Sequence, residues 1–321
     1  MWEPDVLGQR FEQLTLPLPP DAEGEVVATL VRYKGPARFP FPRPVASGAN
    51  VLYVHGWSDY FFQRELAEFW HRAGAHFYAL DLRKYGRSLR PHQTPGYVAD
   101  LGEYDADIDA AIGAMIDSTR PLILMGHSTG GLTLSLWAAR NPMRVSALVL
   151  NSPWLEFQGR AGGRAALAPL VGMQAKYRPM DVIRGLDLGY YARTTSSRLD
   201  GDWDYNSDWR PEHSFPAHAG WLNAILTGHS AVAAGLHLGM PVVTLLSSRS
   251  LLQPRWDPAM MQADVAIDVE VVADRAAHLG DTVTVLRIEG AMHDVTLSAP
   301  AVRARAYAAL SRWLRAYAPP R

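Results

Sequence analysis

The pattern Gly126-His127-Ser128-Thr129-Gly130 is the single G-x-S-x-G of the chain, and it places a serine where acyl-transfer chemistry needs one. A serine hydroxyl is a poor nucleophile until an adjacent base removes its proton, so its position relative to a base matters more than its identity. Residues 121–125 read as a buried strand, and residues 131–140 read as a helix with Leu132, Leu136 and Ala139 on one side. Between them the chain must turn sharply. The flanking glycines let backbones pass closely, and the serine is left at the tip, where the amide dipoles of a helix N-terminus favour developing negative charge. The plain alternative is a tight turn with a capping serine, and the strand and helix on either side favour the nucleophile.

In a strand–turn–helix setting of this kind the partners follow in the order serine, acid, histidine. Of eleven histidines only His293 lies beyond the last strand-like run, in the loop Glu289-Gly290-Ala291-Met292-His293-Asp294. A loop at the carboxyl end of a strand can reach the serine tip, so His293 is the expected general base. The acid should follow the strand at residues 242–246, where Asp257, Asp264 and Asp268 all qualify. Asp268 reads as the cap of the helix that follows it, and Asp257 as a surface-loop residue after Trp256. Asp264, about one turn ahead of that helix, is the first choice, with the task of fixing the histidine tautomer and stabilising the imidazolium. A tetrahedral oxyanion also needs two amides. The expected donors are the N–H of Thr129, directly after the serine, and that of Trp57 in the loop His55-Gly56-Trp57, where Gly56 permits close approach. His55 itself reads as a loop brace rather than as a second base.

The elements that would hold these groups alternate along the chain. Residues 11–18 and 25–33 have the two-residue period of strands, and residues 36–48 form a proline-rich loop. Short apolar runs at 51–54, 77–80, 122–125 and 147–150 suit strands buried on both faces, each followed by a helix-like stretch. Leu101, Tyr104, Ile108, Ile112 and Met115 recur at helical spacing behind Asp100, a plausible start. Further strands are expected at 242–246 and 283–288, with helices over about 268–279 and from Ser298 and Pro300 to about 317. Strands alternating with helices predict an α/β sandwich. Residues 154–239 break the rhythm, carry Trp154, Trp203, Trp209 and Trp221, and read as a mostly irregular and helical insertion folded over the sheet. The expected division is therefore a core of residues 1–153 and 240–321 with a cap or lid of 154–239.

Composition narrows the function further. With 48% hydrophobic residues over 321 positions the chain can bury a large core. A net charge of −1 with no basic stripe argues against nucleic acid. The absence of cysteine removes disulfides, thiolate metal sites and cysteine nucleophiles, and no H-E-x-x-H or comparable spacing suggests a metal. No cofactor is expected. Nor is there an apolar run of the ~20 residues a membrane helix needs, so a soluble, cytoplasmic protein with a small-molecule ester substrate is the expectation.

These motifs resemble the α/β-hydrolases of the monoacylglycerol lipase and lysophospholipase group, often classed with the S33 serine aminopeptidases. The resemblance is carried by His55-Gly56-Trp57, by Asp81-Leu82-Arg83-Lys84-Tyr85-Gly86-Arg87-Ser88, by Gly126-His127-Ser128-Thr129-Gly130-Gly131, and by Ala263-Asp264-Val265-Ala266-Ile267-Asp268 with His293 after it. It implies Ser128, Asp264 and His293 as the triad, and the Trp57 and Thr129 amides as oxyanion donors. It also implies an α/β-hydrolase fold, with an eight-stranded, mostly parallel sheet flanked by helices and the two N-terminal segments as its antiparallel edge. The function it implies is hydrolysis of a carboxylic ester, such as a monoacylglycerol or lysophospholipid-like lipid, through an acyl-enzyme. An aminopeptidase or amidase with the same triad, its substrate ammonium held by Asp200, Asp202, Asp204 or Asp208, is the second expectation. A non-catalytic hydrolase-like binding protein is the third.

Overall fold

The computed structural model describes residues 1–37, 44–117, 119–157, 160–185 and 187–317; residues 38–43 of the proline-rich loop lie outside these. The strands are β1 (Glu3–Pro4), β2 (Phe11–Asp21), β3 (Gly24–Tyr33), β4 (Asn50–Val54), β5 (His76–Asp81), β6 (Leu122–His127), β7 (Ala147–Asn151), β8 (Val182–Ile183), β9 (Ala217–His218), β10 (Val242–Ser247) and β11 (Val283–Ile288). The helices are α1 (Arg64–Arg72), α2 (Tyr104–Ala114), α3 (Thr129–Arg140), α4 (Arg160–Tyr177), α5 (Tyr190–Thr195), α6 (Ala219–Ala234), α7 (Val269–Ala277) and α8 (Pro300–Tyr317).

Among the described residues nine strands form one sheet in the order β1-β2-β3-β5-β4-β6-β7-β10-β11. From β5 to β11 neighbours run parallel, and β1, β2 and β3 make the antiparallel edge. The ninth strand, beyond the eight expected, is β1: Glu3 and Pro4 pair with Gln13 and Glu12, too short a run to leave an alternation in the sequence. Strands β8 and β9 pair separately, within the 154–239 stretch.

Because successive strand residues point to opposite faces, each central strand feeds two cores. Leu52, Leu124, Leu148 and Leu150 join Ile108, Leu132, Ile225 and Val272 from α2, α3, α6 and α7 on one face. Val51, Tyr53, Ile123 and Val149 join Leu66, Trp70, Leu310 and Trp313 from α1 and α8 on the other. The sheet is covered on both sides, as parallel strands with uninterrupted apolar runs require.

Helix starts follow the local chemistry. Asp100 and Glu103 form a reciprocal capping box ahead of α2, and Asp268 accepts the amides of Glu270 and Val271 at the start of α7. Between β7 and β10 the chain is more helical than its sequence pattern suggests. Helix α6 buries Trp221, Leu222, Ala224, Ile225, Leu226 and His229, and its exposed side carries Ala231, Ala233 and Ala234, so no apolar stripe stands out in the sequence. Among the described residues no helix is long and apolar enough to cross a membrane, and no group of histidine and acidic side chains is placed to hold a metal ion.

Candidate active site

The parallel strands end on one side of the sheet, and the sequence-predicted site residues lie in the loops that leave those ends, the usual place for a ligand in an open α/β sheet. Strand β6 passes directly into α3 through Ser128, whose backbone takes φ 51° and ψ −117°. An N-cap residue normally sits in the β region and uses its side chain to cap. Ser128 does neither, since its side chain makes no capping hydrogen bond. Positive φ in a residue with a Cβ costs roughly 1–3 kcal/mol and persists only where the surroundings over-determine it.

Here glycines supply that constraint. A Cβ on Gly126 would lie 2.6 Å from the carbonyl oxygen of Gly130, and one on Gly130 would run into the carbonyl oxygens of His55 and Val54. One on Gly131 would lie 2.7 Å from Cβ of Pro153. The turn is further held by the amide of Ser128 donating to Asn151 O at 3.1 Å and that of Trp154 donating to Ser128 O at 3.0 Å. Thr129 opens α3, so its N–H has no carbonyl partner within the helix. Gly56 packs against the turn tightly enough that an added Cβ would lie 3.1 Å from Cβ of Ser128, which brings the Gly56–Trp57 loop over the serine.

His293 Nδ1 lies 2.9 Å from Asp264 Oδ2, with both side chains buried. The other carboxylate oxygen of Asp264 accepts the amides of Ala266 and Ile267, at 2.8 and 2.9 Å. The long link after β10 returns to the strand end by pairing Ser250 with Asp264, with the Asp264 amide donating to Arg249 O and the Leu251 amide to Asp264 O. The alternative acids are engaged elsewhere. Asp257 is exposed and accepts the Ala259 amide at the head of a short 3₁₀ turn, and Asp268 caps α7. His55 is a brace, as expected: Nε2 accepts the Leu82 amide, which leaves Nδ1 to donate to Gly56 O, and burial keeps its pKa below the ordinary value.

Ser128, His293, Thr129, Gly56 and Trp57 line one cavity of about 650 Å³. Its walls are largely apolar and aromatic. Trp57 packs against Trp221 with centroids 3.7 Å apart and the rings tilted by 35°, Trp154 stands 6.2 Å from Trp221, and Phe215 packs edge-on to Trp57. The four tryptophans of residues 154–239 thus divide. Trp154 and Trp221 face the cavity, whereas Trp203 and Trp209 sit with Tyr60 and Phe62 in a separate groove. The carboxylates proposed for holding an ammonium group do not line the cavity, and Asp200 is paired with Arg193 at 2.6 Å. The acidic side chains in the cavity wall are instead Asp187 and Glu212.

A ring of buried groups not singled out in the sequence surrounds the site. His127 Nδ1 faces the carbonyl of Asn151 at 3.1 Å, and its Nε2 faces the hydroxyl of Tyr191 at 3.0 Å. A carbonyl only accepts, so Nδ1 carries the proton and the tyrosine donates to Nε2. Burial, reinforced by the neighbouring His293 and Arg210, lowers the His127 pKa to about 4 against the pull of Asp294. Asn151 donates to Asp294 Oδ1 at 2.6 Å and accepts the Val295 amide, tying the histidine loop to the end of β7. Burial works against the Asp294 carboxylate, yet His127 and donation from Thr296 and Asn151 hold it below the usual range. Arg210 pairs with Asp59 at 3.0 Å, where burial raises the carboxyl to about 7 despite that partner. Only His127 had a visible signal, its place inside the serine motif; the others meet there from distant parts of the chain.

Residues 46–203 match the family model described as serine aminopeptidase, S33. The chain is 34% identical over 119 residues to phospholipase YtpA of Bacillus subtilis, covering 36% of this chain and 43% of that protein. It is 31% identical over 137 residues to a monoacylglycerol lipase of Mycolicibacterium smegmatis, covering 41% and 47%. The matched segments thus span less than half the length of these relatives. Among solved structures, a monoacylglycerol lipase from Paleococcus ferrophilus superposes with a TM-score of 0.61 at 19% identity, over 84% of this chain and 94% of that one. A carboxyl esterase from Bacillus coagulans gives 0.63 at 14%, over 97% and 100%. At these identities the structural likeness is one of fold.

Proposed function

We propose that the chain is an α/β-hydrolase of the group that includes the monoacylglycerol lipases and the S33 serine aminopeptidases, and that it cleaves carboxylic esters through an acyl-enzyme on Ser128. The observation that carries this reading is the buried 2.9 Å contact of Asp264 with His293, whose side chain lines the same cavity as the strained Ser128. With Asp264 accepting from Nδ1–H, His293 Nε2 is free to take the serine proton. The Ser128 oxygen then bonds to the ester carbonyl carbon, and the resulting oxyanion is held by the amides of Thr129 and Trp57. His293 returns the proton to the departing alcohol. Water, deprotonated by the same imidazole, releases the acid and restores the serine.

In this proposal residues 1–153 and 240–321 are the catalytic core and residues 154–239 its cap. The tryptophan-lined wall favours an apolar acyl group, and the relatives named as phospholipase and monoacylglycerol lipase point to a lipid-like ester. Glu212 in the cavity wall supports a second reading, an aminopeptidase whose substrate ammonium meets that carboxylate. The test sets nitrophenyl esters of graded chain length beside aminoacyl-nitroanilides, and follows fluorophosphonate labelling of the folded protein. Ester turnover and labelling are expected to fall by about 10⁴-fold or more in Ser128→Ala with the fold retained. Preference for the nitroanilides would replace the ester reading, and a wild-type protein that is not labelled would make the chain a binding protein.

A further inference from the structure

One side chain of the proposed cap touches both the serine turn and the histidine loop. Tyr191, in α5, is half-buried, and its hydroxyl donates to His127 Nε2 at 3.0 Å, one residue before Ser128. Its ring stands 5.0 Å from that of His293 at 84°, so the tyrosine also fixes where the His293 imidazole can turn. The two imidazoles are themselves 4.9 Å apart. The tyrosine is held in turn from behind. The Arg210 guanidinium lies 4.6 Å from its ring centroid, donates to Thr195 Oγ1 at 2.9 Å and pairs with Asp59, while Thr195 Oγ1 donates to the Tyr191 carbonyl at 2.8 Å.

This linkage crosses between parts of the chain that belong to different layers. Tyr191, Thr195 and Arg210 come from residues 154–239, whereas His127 ends strand β6 and Asp59 and His293 come from loops at the strand ends. A hydrogen bond to a buried imidazole is worth most where no water can replace it, and His127 has no exposed surface. Displacing α5 would break the bond to His127 and remove the wall beside His293 in one movement.

We propose that Tyr191 is a positioning residue through which the cap orients the catalytic base, so that His293 and the serine turn are aligned only while α5 is seated. The proposal rests on the reading of His293 as the base and adds to it a dependence on the cap. Tyr191→Phe removes the hydroxyl and keeps the ring, and Tyr191→Leu removes both contacts. Each is measured for kcat and KM on a water-soluble short-chain nitrophenyl ester, for the second-order rate of fluorophosphonate labelling, and for Tm. In Tyr191→Phe, kcat and the labelling rate are expected to fall together by about fivefold, the size of one neutral hydrogen bond, with KM within about twofold of wild type. In Tyr191→Leu both rates fall further, by about 10²-fold, while the protein still melts cooperatively.

Wild-type kcat and labelling in both variants would overturn the proposal. So would a lowered Tm with kcat and labelling unchanged in the folded fraction, because that is the signature of packing alone. His293→Ala, run alongside, separates the two levels. If it still turns over ester and labels at the wild-type rate, the base assignment falls and this proposal with it. If it is inactive while the tyrosine variants are normal, only the role of Tyr191 is lost.

Discussion

The serine turn and the stretch between β7 and β10 sit on the same cavity and are built by opposite rules. In the turn nearly every position is fixed by backbone contact. Gly126, Gly130 and Gly131 each leave no room for a Cβ, and the obstacles are main-chain atoms or a proline, which cannot move aside. In the other region Gly162 and Gly163 lie in α4 with nothing within 4 Å of an added Cβ, and Leu170, Met173 and Tyr177 of the same helix are exposed. Its inner helix α6 instead joins the core through Trp221, Leu222 and Ile225, and α5 reaches the serine turn through Tyr191 on His127. The serine turn therefore rests on a scaffold that tolerates almost no change, whereas the outer helix α4 of the other region tolerates much.

The comparison breaks most readily at the acid. Asp264→Asn should lower kcat by about 10³–10⁴-fold, since an amide cannot hold the required histidine tautomer, whereas Asp257→Asn should stay near wild type and keep its turn cap, since an asparagine oxygen accepts the Ala259 amide as well. Steady-state kinetics on one ester decide it, and the reverse order would move the acid to Asp257. Next in size is a glycine pair. Gly130→Ala forces a Cβ into the carbonyls of Val54 and His55 and should destabilise the fold by about 1–3 kcal/mol while suppressing labelling. Gly163→Ala, in an open part of α4, should instead stabilise by up to about 1 kcal/mol. Denaturant melts compare the two, and a Gly130→Ala protein of wild-type stability would refute the account of the turn.

The smallest effect concerns pH. His127 has a folded pKa near 4 against an ordinary 6.5, so below about pH 6.5 the unfolded chain binds a proton that the folded one refuses, and stability is lost as pH falls toward 4. Between pH 7.5 and 5 this amounts to about 2 kcal/mol. His127→Gln lacks that dependence, so the stability gap between wild type and variant should narrow by about this amount on acidification. A gap that stays constant would mean that His127 titrates normally in the folded protein.

Much of this was legible beforehand, for physical reasons that differ between residues. Ser128 stands out because the steric demand of its turn is local and prints glycines two positions to either side. The strands β4, β5, β6, β7, β10 and β11 stand out because burial on both faces makes each a short apolar run. His293 follows from chain order. Asp264 was one of three carboxylates, and choosing among them needed their partners: Asp257 and Asp268 cap local amides, whereas Asp264 reaches across 29 residues to an imidazole. Helix α6 stayed hidden because its exposed side carries Ala231, Ala233 and Ala234 and so differs little in polarity from its buried side, and β1 because two residues carry no period.

Sequence alone thus determined the α/β alternation and the serine turn, and supplied the histidine and the short list of acids on which the proposed site rests, since each depends on neighbours a few residues away or on the order of elements. Tertiary structure decided which acid meets the histidine, which tryptophans face the cavity, and that Tyr191, Arg210, Asn151 and Asp294 gather around the site. Those outcomes depend on contacts between segments tens to hundreds of residues apart, and no local spacing or propensity encodes where such segments meet.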